Sequence, residues 1–344
     1  MTQPIDKQSI QSSTNRRPTI MDIAREANVS AWTVSQAING HLSASISQPT
    51  RDRVLAIAAQ IGYRPNHAAR ALVNARTNLV ATWMRTHVEY SPYYGRIQHS
   101  LQRIARRYGY NCIAEDVVLD EVEQQDFSKL ISWPMDGVIA CDVGGPVAAY
   151  LAVNPRERMP IVNIGAWSVD TTDSVKLDLV PGMLAAARHL VDGGCTRIAY
   201  ISRLPFDMRS EAYSSVMRDA GRRAEFIEAA VDTRVCARET LTAYAKEHGL
   251  PDGLLCENDD VAIGCLCAAL DLGARVPRDI AIVGCDGIED AENQVLPVST
   301  VKVPIETMCE SAWTFLVNRI NDPSAPLQRA VITPGLVVRD SSRR

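Results

Sequence analysis

Apolar positions in the first 64 residues recur at helical spacing. Ile20, Ile23, Ala24 and Ala27 line one face of TIMDIAREA. Thr19 stands before them as N-cap, and Asp22 three residues on completes a capping-box start. Asn28 tolerates the left-handed conformation that a tight turn between helices demands. Ser30 caps a second short helix in which Val34 and Ile38 stand four apart, and Asn39-Gly40 stops it. A third helix is signalled by QPTRDRVLAIAAQIG: Pro49 suits the first turn, Val54, Ile57, Ala58 and Ile61 keep the period, and Gly62 ends it. Three short helices, the first two joined by a tight turn, predict a helix-turn-helix module over residues 18–64. After Tyr63-Arg64-Pro65, NHAARALVNAR predicts a further helix with Asn66 as N-cap, running to Leu72. Helices below about 12 residues are too short to stand alone in water, so residues 65–77 read as a marginal hinge helix and linker. The polar stretch MTQPIDKQSIQSSTNRR, residues 1–17, reads as a disordered leader.

From Asn78 the pattern changes to short β-rich runs alternating with helical ones. LVATWM, CIAEDVV, DGVIAC, MPIVNIG, RIAYIS, DGLLCEN and DIAIVGCDG read as strands. YGRIQHSLQRIARRYGY, LVPGMLAAARHLVDGG and DDVAIGCLCAALDLGARVP read as helices between them. STVKVPIETMCESAWTFLVNRI and then AVITPGLVVRD add a helix and a strand. Strands alternating with crossover helices predict an α/β fold, a doubly wound parallel sheet in each of two subdomains. The expected division is about 78–177 with 302–330, and about 178–301 with 331–341.

Charge sharpens this division. Residues 1–78 carry nine Lys/Arg against four Asp/Glu, a net of +5 within a chain of net −4, so the remaining 266 residues carry −9. A small basic module on a larger acidic body suits a polyanionic partner at one end only. Nine cysteines, none in a CxxC pair, read as reduced, small buried hydrophobes in a reducing compartment. No apolar run approaches the length needed to span a bilayer, and the polar start lacks a signal-peptide core, so the cytoplasm is the expected location.

In a helix-turn-helix, the N-terminal residues of the second helix reach base edges in the major groove while caps and basic groups hold phosphates. Here that helix offers Ser30, Ala31, Trp32, Thr33, Ser35 and Gln36, with Arg51, Arg53 and Arg64 as phosphate partners and Thr19 and Asn66 as the neighbouring caps. Trp32 stands off the Val34/Ile38 stripe, either facing base edges or tucked against the first helix or the loop before Pro49. Catalytic signs are weak. Asp259-Asp260 stands at a helix start, where carboxylates suit the dipole; VDGGCTR lacks the lysine of a phosphate loop; no histidine pair has metal spacing. The chain reads as neither enzyme nor cofactor or metal carrier.

TIMDIAREANVSAWTVSQAING, followed by TRDRVLAIAAQIGYRPNHAARALVNART, resembles the DNA-binding headpiece of the LacI/GalR family of bacterial transcription regulators. The likeness includes V-S-x-x-T-V-S, G-Y-x-P-N and A-R-x-L, and continues through SPYYGRI, RHLVDGGCTRIAYI and CENDDVAIGCLCAALDLGARVPRDIAIVGCDG. It implies a periplasmic-binding-protein-like effector domain and a repressor that binds double-stranded, pseudo-palindromic operator DNA as a homodimer. It places Ala31, Trp32 and Gln36 at base-reading positions, Ser30, Ser35 and Asn39 beside them, Thr50 on a phosphate and Leu72 as the hinge wedge of the minor groove. Three features depart from the family: Gln36 replaces an arginine, Asn28 a turn glycine, and HLSASISQ is about two residues longer than usual.

The same resemblance implies an effector cleft, for a sugar-like or other polar metabolite, gripped by Arg209, Asn258 and Asp286 with Tyr93 and Tyr94 stacking on the ligand. Read as residues alone, Arg209 also suits an ion pair between elements, Asn258 a helix cap, and the tyrosines core packing. Gly165 stands where sugar-responsive members carry aspartate, and Val303 where they carry glutamine. Trp167 or Phe206 offers a substitute stacking surface. A solute-binding or sugar-processing protein on the same scaffold is the competing reading.

Overall fold

The structure, a computed structural model, describes residues 18–38, 46–64, 76–85, 91–117, 134–154, 159–167, 169, 171–203 and 207–344. The expected leader, Asn39 and most of the HLSASISQ loop, the hinge with Asn66 and Leu72, and Phe206 lie outside them. The chain divides into two compact units, residues 1–75 and 76–344.

The first unit is built from α1 (Ile20–Ala27), α2 (Ala31–Ile38) and α3 (Gln48–Gln60). Local chemistry sets each boundary. Thr19 and Asp22 close a reciprocal capping box, Thr19 N–H donating to Asp22 Oδ2 at 2.9 Å. Asn28 takes φ 53, ψ 49, the left-handed turn that ends α1. Ser30 Oγ accepts from Thr33 N–H at 3.1 Å and so starts α2. Ile23, Ala27, Val34, Ala37 and Val54 form the small core that unites the helices. Without that shared burial, helices this short would not persist.

The second unit opens with β1 (Leu79–Arg85), α4 (Pro92–Arg107), β2 (Asn111–Val117), β3 (Gly137–Cys141), α5 (Gly144–Val153), β4 (Ile161–Gly165) and β5 (Asp173–Leu177). It continues through α6 (Val180–Asp192), β6 (Ile198–Ser202), α7 (Met208–Asp219), β7 (Glu225–Glu228), α8 (Arg234–His248), β8 (Gly253–Cys256), α9 (Asp259–Asp271) and β9 (Ala281–Asp286). Short α10 (Glu289–Glu292), β10 (Ser299–Lys302), α11 (Ile305–Asn321), β11 (Arg329–Ile332) and β12 (Gly335–Val337) complete it. Two six-stranded sheets result, in the orders β11-β5-β4-β3-β1-β2 and β12-β10-β9-β8-β6-β7. All neighbours run parallel except β10 and β12. Buried on both faces, the central strands are almost wholly apolar, as in β3, β6, β8 and β9.

One expectation changes here. AVITPGLVVRD is two strands, not one: β11 pairs with β5 in the first sheet, and β12 with β10 in the second. Pro334 and Gly335 separate them, and proline cannot donate to a ladder, so the chain changes sheets there. The last crossing therefore follows Ile332 rather than residue 330, and the one before it follows Lys302. All nine cysteines are free, six of them buried. Among the described residues no helix is long and apolar enough to cross a membrane.

Candidate DNA-reading helix and effector cleft

Packing decides what α2 shows to its surroundings. Val34 and Ala37 are buried, which turns Trp32 and Gln36 to the opposite side of the helix, four residues apart. Trp32 is 57% exposed and takes no part in the three-helix core. The indole is therefore not tucked into the packing against the first helix. Ser30 and Thr33 share a hydroxyl contact of 2.9 Å at the start of α2, and Ser47 and Thr50 do the same at the start of α3. Ala31, Ser35 and Gln36 are half-buried, while Arg53 and Arg64 are exposed. Arg51 reaches to 3.5 Å from the Ala37 carbonyl, tying α3 to the end of α2.

In the second unit, the ends of parallel strands from both sheets converge on one narrow cavity of about 90 Å³. Open parallel sheets form such crevices outside the carboxyl ends of their strands, where strand order reverses. Here Asp142 follows β3, β4 leads to Ala166 and Trp167, Glu257 follows β8 and β9 ends in Asp286, and all of these line the cavity. Tyr93 and Tyr94 enter from the first turn of α4, their rings 5.1 Å apart edge to face. Tyr93 is buried; Tyr94 is half-buried and lies 3.3 Å from Asp142 Oδ2 through its hydroxyl.

Arg209 stands in the first turn of α7 and meets two carboxylates. Its Nε donates to Asp207 Oδ2 at 2.7 Å, its Nη1 to the Glu257 carbonyl at 2.7 Å, and its Nη2 lies 3.6 Å from Glu257 Oε2. Asp207 is itself the N-cap of α7, accepting from the Arg209 and Ser210 amides. The guanidinium therefore fastens the start of α7 to the end of β8. Asn258 caps α9, its Oδ1 accepting from Val261 N–H at 2.8 Å. Both residues thus fill the structural roles open to them in the sequence while also lining the cavity.

Asp286 holds φ 119, a conformation that side-chain-bearing residues seldom adopt and that clusters at functional sites. The next turn is held by Asp259, whose Oδ2 accepts from Gly287 N–H at 2.7 Å and Ile288 N–H at 2.9 Å. Arg96, on α4 of the first subdomain, donates to the Gly287 carbonyl at 2.7 Å and so reaches the same turn from the other sheet's side.

Residues 19–66 match the family model for bacterial regulatory proteins of the lacI family, and residues 187–342 that for a periplasmic binding protein-like domain. The chain thus carries a lacI-family DNA-binding domain and a periplasmic-binding-protein-like domain. It is 26% identical over 341 residues to the transcriptional repressor PurR of Klebsiella pneumoniae, covering 94% of this chain and 96% of that one. It is 27% identical over 339 residues to catabolite control protein A of Staphylococcus aureus, covering 94% and 99%. Its fold matches the Lac repressor dimer bound to operator and the anti-inducer ONPF with a TM-score of 0.80, at 22% identity and covering 95% and 99%.

Several cleft residues are not apparent in the sequence: Asp142, Asp207, Asp232, Glu257 and Arg203 all line the cavity. A signal was present. Three core strands carry a cysteine followed by an acid at their carboxyl end, at Cys141-Asp142, Cys256-Glu257 and Cys285-Asp286. The cysteine is a small buried group of the strand, and the acid follows it at the cavity wall. Trp167, 44% exposed, lines the cavity from the first subdomain. Val303 is buried in the core.

Burial gives two of these acids an unusual sign. It pushes the Glu257 carboxyl up to about 7 against the opposing pull of Arg209, and Asp259 up to about 7 against its hydrogen bonds from Thr300, Ile288 and Gly287. A carboxyl raised in the fold binds more protons there than in the unfolded chain, so stability falls as pH climbs from the ordinary carboxylate range to about 7. The unfolding midpoint in urea is expected to drop between about pH 5 and pH 8, and Glu257→Gln, which can still accept from Arg203 N–H, should flatten that slope. An unchanged slope in the variant removes Glu257 from the account.

Proposed function

We propose that the chain is a ligand-responsive transcriptional repressor that binds a pseudo-palindromic operator as a homodimer, with a small polar effector held in the cleft of the second unit. The observation that carries the DNA half of this reading is the outward display of Trp32 and Gln36 on α2 of a lacI-family headpiece. An indole can contact thymine methyls, and a glutamine amide can pair with adenine N6 and N7; lacking the arginine fork for guanine, this helix suits A·T-containing half-sites. Ser30, Ala31, Thr33, Ser35 and Asn39 flank these contacts, while Thr19, Thr50 and Asn66 sit at the phosphate backbone. Leu72 of paired hinge helices wedges the minor groove at the operator centre, where unstacking costs a few kcal/mol and gains a bent, larger interface.

In the effector half, Tyr93, Tyr94, Arg209, Asn258 and Asp286 hold the ligand. Its binding shifts the population between two arrangements of the subdomains, and with it the order of the hinge. Arg96, bonded to the Gly287 carbonyl across the cleft, supports such coupling because it connects α4 to the turn after Asp286. The PurR, catabolite control and Lac repressor relatives support a regulator working on DNA in the cytoplasm. The test is fluorescence anisotropy of the full chain on fragments upstream of its own gene, with sedimentation of the complex. One fragment should bind as a dimer with a dissociation constant of about 10⁻⁸ M or tighter, and a metabolite that raises the melting temperature should change that affinity by roughly fivefold or more. Binding indifferent to every stabilising metabolite would remove effector control.

A further inference from the structure

A glycine and an aspartate share one space at the cleft wall. Gly165 has φ 104, and a Cβ built on it would stand 2.2 Å from Asp142 Oδ1. The Asp142 carboxylate therefore fills the room that a side chain at position 165 would need. Asp142 adopts φ 53, in the left-handed region, and its headgroup is fixed from three sides. Ala166 N–H donates to Oδ1 at 2.8 Å, Trp167 N–H to Oδ1 at 3.3 Å, and the Tyr94 hydroxyl to Oδ2 at 3.3 Å. A strained residue held this firmly at a cavity wall is preorganised to meet a ligand.

The charge balance of the cavity gives the ligand's class. Five carboxylates line it against two guanidiniums, those of Arg203 and Arg209. Arg209 is engaged by Asp207 and Glu257. Asp142 belongs to the first subdomain and Asp286 to the second, and among the described residues no hydrogen bond reaches the Asp286 side chain. The Asp142 carboxylate takes hydrogen bonds from N–H and O–H donors, so it acts as an acceptor and what enters beside it has to donate. Burial, then the charge of Asp259, holds Asp286 well above the usual carboxylate range, with Asp142 adding to the effect. An entering cation relieves that cost, whereas an anion adds to it.

We propose that Asp142 is the ligand-gripping carboxylate of the first subdomain, made possible by Gly165, and that with Asp286 it selects a small polar effector carrying a protonated amine. This rests on the cleft being the effector site. The glycine at 165 and the acid at 142 then form a matched pair, because a side chain at 165 would displace the carboxylate.

Two charge series on common frames test it by thermal shift at millimolar concentration: glucosamine, glucose and glucose 6-phosphate; and 1,4-diaminobutane, 1,4-butanediol and succinate. In at least one series the amine should raise the melting temperature above both analogues, and Asp142→Asn, which preserves shape, should erase the difference. Absence of any amine preference, or preference for a neutral or anionic member, overturns the inference. A second measurement needs no ligand. Asp286→Asn should raise the melting temperature of the empty protein by roughly 2–4 °C at about pH 8, because it removes an acid whose ionisation the fold opposes; a fall overturns the facing-carboxylate account. Operator anisotropy in the same samples separates the two readings: an amine that stabilises the chain yet leaves operator affinity unchanged keeps the amine site and sinks effector control.

Discussion

Arg209→Ala is expected to destabilise the second unit by roughly 3–5 kcal/mol, the largest loss of any cleft substitution. The guanidinium is 17% exposed, and it stands between Asp207 and Glu257 side chains that are 2% and 5% exposed. Removing it strands two buried carboxylates and unties the start of α7 from the end of β8. The loss should be smaller near pH 5 than near pH 8, because Glu257, already pushed up to about 7, neutralises itself by taking a proton. Urea denaturation at the two pH values reads both effects. Arg209→Lys keeps the charge without the planar fork and should fall between the two proteins. A loss below about 1 kcal/mol for Arg209→Ala would mean that the carboxylates find other partners, leaving the arginine free to serve the ligand alone. The residue that family resemblance offers as a ligand grip is thus first a neutraliser of its own neighbours, and effector assays on its variants need a stability measurement beside them.

Trp32→Ala should separate binding from folding in the opposite way. An exposed side chain outside the three-helix core contributes little to stability, so the headpiece should melt within about 0.5 kcal/mol of the parent. Specific operator affinity should fall roughly tenfold or more, since a good base contact is worth about 1–3 kcal/mol, while affinity for scrambled DNA of the same length should hardly change. Equal losses on both DNAs would assign the indole to the backbone rather than to a base edge. Val34→Ala makes the useful contrast, because Val34 is fully buried and its loss should lower stability before it lowers specificity.

The headpiece was legible in the sequence almost residue by residue, because its boundaries are set by local chemistry: the Thr19/Asp22 box, the left-handed Asn28, the Ser30 cap, Pro49 at the start of α3. The buried strands were legible as apolar runs for the same reason. What escaped was non-local or mixed in pattern. The strand β7, EFIE, alternates too briefly to stand out, and α8, RVCARETLTAYAKEH, buries few residues along its length. β11 and β12 read as one strand because their assignment to two sheets depends on partners far away in the chain. The other cleft carboxylates belong to the same class: Asp142, Asp207 and Glu257 are scattered over 116 positions and meet Asp286 only because parallel strands end at one level. Their proximity is a property of topology, and only the repeated cysteine-acid strand ends hinted at it.

The most direct test of the account is the salt dependence of binding by the full chain to DNA enriched from a random duplex library. The enriched site is expected to be pseudo-palindromic with A·T pairs in its half-sites, and the log affinity to fall linearly and steeply with log salt as phosphate contacts release counterions. That site should also be preferred over scrambled duplex by roughly 10³-fold or more. Enrichment of no sequence, with the same weak affinity for every duplex even at low salt, would contradict it.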